Sequence, residues 1–191
     1  SVVLEIGFGN GGFAGWLETN YPLTTWNGVE VQKSLVEKAK EAGFCAITRI
    51  QDIKTEKKYD LILALDVIEH LSDNEIADFF LVASKLIKPN GMVLIRTPNA
   101  GGPLGLPNQT GDPTHVTPVS LSRLANYLSG WEIHAEGDLQ PIWEGRIFSA
   151  MRNFVRLLCR TVISSLVRFS FAPQPRTLLA SNLHLKFKLA R

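Results

Sequence analysis

The chain has 191 residues and a mass of 21.2 kDa, the size of one generous domain with a sizeable core. Hydrophobic residues make up 45% and charged residues 20%, which excludes a disordered or fibrous chain. The net charge of +2 conceals a split: the front carries all 18 acidic residues and 11 basic ones, whereas residues 145–191 carry nine basic residues and no acid. A tail of that kind predicts an anionic partner. Two cysteines, Cys45 and Cys159, are too few for a disulfide scaffold and predict a reducing, cytoplasmic setting. No run of 18 uncharged apolar residues predicts a membrane span. The first residues read directly as an apolar strand, without Met or signal peptide, so further residues are expected before Ser1.

In chain order, Ser1–Ile6 reads as a buried strand, followed by a glycine cluster and a helix from about Gly12 to Thr19. Thr25–Val31 predicts a second strand, Ser34–Ala42 a helix stopped by Gly43, and Cys45–Ile50 a third strand. Tyr59–Leu65 is continuously apolar, as a strand covered on both faces should be. Asp73–Ile87 has Ile76, Phe79, Phe80 and Ala83 at helical spacing, and Pro89-Asn90-Gly91 predicts a turn into a strand at Met92–Arg96. Thr97–Pro118, rich in Gly, Pro, Asn and Thr, reads as a long functional loop. Val119–Leu128 then predicts a helix, Trp131–Gly137 a strand, Glu144–Phe171 one or two amphipathic helices, and Leu183–Leu189 a half-buried edge strand. Alternating strands and helices imply right-handed crossovers and an α/β, doubly wound, mostly parallel sheet of seven strands. One domain over 1–191 is expected, with a cofactor-binding half (1–97) and an acceptor-side half (98–191) carrying a helical insertion at about 144–181.

Ligands of such sheets bind beyond the carboxyl ends of the strands. The first strand ends in Glu5-Ile6-Gly7-Phe8-Gly9-Asn10-Gly11-Gly12, where missing Cβ atoms let backbone approach a bulky ligand. Glu30 ends the second strand, where a carboxylate can accept both hydroxyls of a ribose. Asp52 follows the third, where it can accept from an adenine amino group. A nicotinamide cofactor would also suit Glu30, but the glycine spacing and the lack of a Tyr-x-x-x-Lys pair stand against it.

E-x-G-x-G-x-G, Glu30, Asp52 and YDLILALDVIEHL, in that order, resemble the class I S-adenosylmethionine (SAM)-dependent methyltransferases over all but roughly residues 144–181. The resemblance implies that Glu5, Gly7, Phe8, Gly9 and Gly11 belong to the loop holding the methionine portion of SAM. By the same likeness Glu30 and Val31 hold the ribose, Asp52 and Ile53 the adenine, and Leu65 and Asp66 border the methionyl end. S-adenosylhomocysteine (SAH) would be the product.

The sulfonium methyl is already activated, so the protein must position a nucleophile and take a proton. His115 and His70 are the candidate catalytic bases. Asp66, Glu69, His70 and His115 are alternatively a mixed oxygen and nitrogen set for Mg²⁺ or Mn²⁺. The D-x-x-E-H spacing looks like the metal-dependent methyltransferases of small-RNA 3′ ends or quinone precursors, with Asp66 where those carry glutamate. A third possibility is structural, with Glu69 and His70 capping or bracing the helix that begins near Asp73. His134 and His184 fall within strand patterns and read as packed or surface residues.

The T-P-N, G-D-P-T-H and Gly130-Trp131 run is similar to bacterial methyltransferases associated with polysaccharide and glycolipid assembly, which implies a sugar hydroxyl as acceptor. The segment 145–176 pairs an apolar stripe with arginines, as helices lying on anionic membranes do. A lipid-linked acceptor, a peripheral position at the inner membrane face, a lid over the acceptor and a homodimer seam all fit it. Nucleic acid fits poorly, because aromatics are not interleaved with the basic face. Loss of chemistry would leave a non-catalytic cofactor-binding module at a membrane surface.

Overall fold

The computed structural model describes residues 1–53, 58–136, 147–170 and 180–190. Seven strands form one sheet: β1 (Val2–Ile6), β2 (Thr25–Val29), β3 (Cys45–Ile47), β4 (Tyr59–Leu65), β5 (Ile87–Pro98), β6 (Trp131–Glu136) and β7 (Asn182–Leu189). The order is β3-β2-β1-β4-β5-β7-β6, with β7 antiparallel to both neighbours and the other pairs parallel. Strand order reverses between β1 and β4, which places the crevice for a ligand there.

Helices α1 (Gly12–Asn20) and α2 (Lys33–Glu41) follow β1 and β2, and α3 (Asp73–Leu86) follows β4. Helix α3 starts where it does because Ser72 and Glu75 form a reciprocal capping box. Its stripe of Ile76, Phe79, Phe80 and Ala83 is buried against Ile62, Val93, Ile95 and Phe187 in the main core. Phe80 packs edge-on to Phe79, Trp131 and Phe187. A smaller core under α1 and α2 joins Val3, Phe8, Ala14, Trp26 and Val36.

Several details depart from the sequence-based expectation. Helix α3 ends at Leu86, because Ile87 already pairs with Tyr59. Pro89-Asn90-Gly91 is not a turn between elements but a bulge within β5, taken up between the Tyr59 and Leu61 pairings. The third strand closes at Ile47, and Ile50–Asp52 forms a turn of 3₁₀-helix. The supposed loop 97–118 contains a short helix, α4 (Leu106–Gly111), opened by Pro107 in its first turn. The helix expected over Val119–Leu128 is only α5 (Leu121–Leu124) plus a 3₁₀ turn.

Strand β7 is an interior strand, and the edge is β6. The alternation of LHLKFKL reports one-sided burial, not edge position: Leu183, Leu185 and Phe187 are buried, while His184 and Lys186 are half-covered on the other face. On the β6 edge His134 is exposed, and Glu132 stands opposite Lys188. The amphipathic segment forms a single helix, α6 (Ile147–Ser170). Gly137 of the predicted strand end and residues 144–146 of the predicted insertion lie outside the described residues, as do 171–179.

Candidate active site

The ends of β1, β2 and β4 converge on one edge, with Ile6 aligned to Val29 and to Ala64. Gly7, Gly9 and Gly11 all take positive φ (71°, 51° and 72°), so the chain leaves β1 in a tight left-handed path before α1. A Cβ on Gly7 would lie 2.5 Å from Val67 Cγ2, so the loop packs directly on the segment after β4. At Gly9 the same atom would meet nothing within 4 Å, which leaves an open cradle above the backbone.

Glu30 closes the cradle from the β2 side. Its Oε2 accepts from Gly9 N–H at 3.1 Å and its Oε1 from Gln32 N–H at 3.1 Å. One bond per oxygen leaves each with acceptor capacity, as a ribose diol needs. Val31 is exposed beside it, and Asp52 is exposed on the 3₁₀ turn. Asp52 and Ile53 border a recess of about 170 Å³ running to Asn27 and Tyr59, and the buried Asn27 amide nitrogen there has no partner among the described residues. The open glycine cradle, with a two-oxygen acceptor across it, fits a ribosyl sulfonium cofactor.

Two residues expected at this site sit beneath it. Phe8 is buried and meets Trp26 edge-on at 5.3 Å, so its side chain is core and only its backbone belongs to the loop. Glu5 is also buried and accepts from the Trp26 indole N–H at 2.8 Å, while burial pushes its carboxyl up to about 7. It supports the loop from within.

Leu65 is half-buried at the end of β4, and Asp66 takes φ 54°, unusual for any residue but glycine. Its carboxylate is held by the guanidinium of Arg96 at the end of β5, with Nε at 2.9 Å and a second bond from Nη2. Sequence reasoning missed Arg96, although a lone arginine at the end of an apolar strand beside an acid-ended one is a visible signal.

The 3₁₀ turn Ile68–His70 and the segment 112–117 meet on the same edge. Val116 and Thr117 N–H both donate to Glu69 O, at 2.9 and 3.1 Å. The His70 and His115 rings meet edge-on, 4.7 Å between centroids. His70 Nδ1 lies 3.1 Å from Thr114 O and His115 Nδ1 lies 3.2 Å from Gln109 O. A carbonyl accepts only from N–H, so these contacts are satisfied when each Nδ1 carries a proton. Asp112 stands 3.8 Å from His115 Nε2 and accepts from the Thr114 hydroxyl at 2.6 Å. Gln109, which α4 carries into this arrangement, was invisible within an apparent loop.

Glu69 is fully buried, and neither its oxygens nor the Thr97 hydroxyl beside it has a hydrogen-bond partner of good geometry among the described residues. Burial holds its carboxyl above the usual range, reinforced by Asp66 and tempered by Thr97 and His70. Ligand atoms of Glu69, His70 and His115 lie within 4.8 Å of one another. Asp66, committed to Arg96, is not part of that cluster. Capping of α3 falls to Ser72, so Glu69 and His70 do not serve as its caps.

A sequence profile described as a methyltransferase domain matches residues 1–136. The chain belongs to the methyltransferase-domain family. It is a class I SAM-dependent methyltransferase domain, with the seven-stranded Rossmann-like sheet of that class. A SAM-dependent methyltransferase from Archaeoglobus fulgidus superposes with a TM-score of 0.67 at 19% identity, covering 97% of this chain and 84% of that one. The plantazolicin methyltransferase BpumL, solved with SAH, gives 0.63 at 18% identity over 100% and 76%. Among curated relatives, the ubiquinone biosynthesis O-methyltransferase of Pelagibacter ubique is 36% identical over 72 residues, 37% of this chain and 29% of that protein. The cyclopropane-fatty-acyl-phospholipid synthase of Escherichia coli K12 is 29% identical over 98 residues, 50% of this chain and 25% of that protein. The matched stretches thus span less than a third of these relatives' length.

Proposed function

We propose that this domain transfers a methyl group from SAM to a hydroxyl oxygen, with a sugar or other small hydroxylated molecule as acceptor. The observation that carries this is the His70–His115 pair, two imidazoles in edge-on contact beyond the end of β4, each with Nδ1 held by a backbone carbonyl. The cofactor supplies an electrophilic methyl on a sulfonium. Residues 1–97 hold it: the Gly7–Gly11 loop takes the methionyl end, Leu65 and Asp66 border it, Glu30 and Val31 take the ribose, and Asp52 with Ile53 the adenine. Arg96 keeps Asp66 in its left-handed conformation and neutralises its charge.

On the acceptor side, His115 Nε2 takes the hydroxyl proton as the oxygen attacks, and Gln109 O holds the ring in the required tautomer. His70 orders the neighbouring segment through Thr114. A recess of about 420 Å³ between Ala100, Pro118, Ser120, Ser122, Arg123 and Asn126 offers hydroxyl and amide groups beside apolar surface, as a polyhydroxylated acceptor could use. The O-methyltransferase named among the relatives agrees with oxygen as the nucleophile. His115→Ala should keep SAH affinity within about twofold and cut methyl transfer to the acceptor by roughly 100-fold or more. Unchanged turnover would make His115 structural.

A second possibility rests on the Glu69–His70–His115 cluster, where a buried carboxylate without a well-formed hydrogen bond converges with two imidazoles. A divalent cation bound there would lower the pKa of an acceptor hydroxyl. Calorimetric titration of Mn²⁺ onto SAH-saturated protein separates the two: micromolar binding, about 8 kcal/mol, lost in His70→Ala supports the cation, and no binding leaves the imidazole base.

A further inference from the structure

Helix α6 is turned outward. A helix on a globular domain normally presents its apolar stripe to the core and its polar side to water. Among the described side chains of α6 the best covered is Asn153, 8% exposed, with Ala150 and Val167 half-buried. At about 100° per residue these three share one side of the helix. The other side carries Met151, Val155, Leu158, Val162 and Leu166, all exposed, with Phe148 and Phe169 at 87% and 92% exposure. The stripe runs for most of a helix about 36 Å long, an apolar surface that soluble monomers rarely leave uncovered.

Charge selects what covers it. Arg152 and Arg156 lie along one side of the stripe and are exposed, and residues 145–191 contain no acidic residue at all. A second copy of α6 would bring arginines against arginines with no carboxylate in the segment to pair them. An anionic bilayer satisfies both features, taking the apolar side chains among its acyl chains and the guanidinium groups among its phosphates. No helix among the described residues is long and apolar enough to cross a membrane, so α6 would lie in the plane of the surface.

We propose that α6 docks this domain onto an anionic lipid bilayer. The topology gives the docking a consequence. Strand β6 ends with Glu136 beside His184, and β7 begins with Asn182 beside Pro98, the carboxyl end of β5. The segment bearing α6 therefore leaves and rejoins the sheet on the edge that carries Gly7, His70 and His115. Docking holds that edge near the membrane, where a lipid-linked hydroxyl acceptor would present itself. This last step rests on the proposed O-methylation, whereas the docking itself does not.

The test is co-sedimentation of the full chain with vesicles of phosphatidylcholine alone or with about 30% phosphatidylglycerol, beside SAH binding in solution. Binding to the anionic vesicles should exceed that to neutral ones at least tenfold. Each arginine near such a surface is worth about fivefold, so Arg152→Gln with Arg156→Gln should weaken binding roughly 30-fold. Leu158→Asp with Val162→Asp should abolish it while leaving the thermal midpoint and SAH affinity unchanged, since both side chains face solvent. Equal binding to both vesicles, no binding, or indifference to either pair of substitutions would overturn the proposal. So would a large loss of stability in the aspartate variant, which would mean the stripe is packed within the domain. A dimer that the same variant splits, without vesicle binding, would assign the stripe to a second copy. SAH binding reports on the cofactor site separately, so failed docking and a failed methyltransferase assignment remain distinguishable.

Discussion

Replacing Glu5 with glutamine removes a carboxylate that the fold holds in apolar surroundings beneath the glycine loop. Glu5 is 4% exposed, and the hydrogen bond its carboxyl accepts from the Trp26 indole does not offset the loss of water. Burial raises its carboxyl from an ordinary 4.5 to about 7, so the folded state keeps a proton that the unfolded chain releases. That stabilisation is fully present below about pH 4.5 and is lost as pH rises through 7. At 1.36 kcal/mol per pH unit, the interval corresponds to about 3 kcal/mol. The glutamine variant keeps an oxygen for Trp26 and never ionises. Urea unfolding at pH 5, 6, 7 and 8 without ligand should show the variant gaining about 2.5 kcal/mol on the parent across that range. Asp60, Asp73, Glu75 and Asp112 are held below the usual carboxylate range by their hydrogen bonds. They titrate at lower pH and cancel in the difference. Parallel curves separated by a constant offset would refute the assignment of Glu5 as the buried titrating group.

Gly9→Val puts a β-branched side chain at φ 51° and drives its bulk into the open cradle. SAH affinity by calorimetry should fall at least 100-fold while the thermal midpoint moves by only a few degrees; normal affinity would place the cofactor elsewhere. Phe80→Ala empties the contact among Phe79, Trp131 and Phe187 and should cost about 3–5 kcal/mol in urea unfolding. A loss under 1 kcal/mol would show that the core closes over the void.

Strand and helix alternation, the apolar run Tyr59–Leu65 and the spacing of Ile76, Phe79, Phe80 and Ala83 are local properties, and they determined the sheet class and its core face from the sequence alone. The glycine loop and Glu30 were legible for the same reason: a strand end, a turn and the next strand end are fixed by adjacent residues, and parallel pairing sets them side by side. Helix α4 hid within a Gly- and Pro-rich stretch because its Gln109 is held by Thr117 and His115, partners that local propensity does not see. The order of β7 and β6 was hidden as well, since alternation records which face is covered and not which neighbour pairs.

Tertiary structure alone decided the roles of residues whose chemistry the sequence had merely named. Glu5 and Phe8 went beneath the loop because the alternation of β1 and the packing of Trp26 drew them to the α1 side. Asp66 was claimed by Arg96, thirty residues away and adjacent only through the β4–β5 pairing. His70 and His115 became a pair because the backbone of Val116 and Thr117 closes on Glu69. The apolar stripe of α6 was plain in the residues, but the direction it faces depends on which side the sheet covers, and that is a long-range contact.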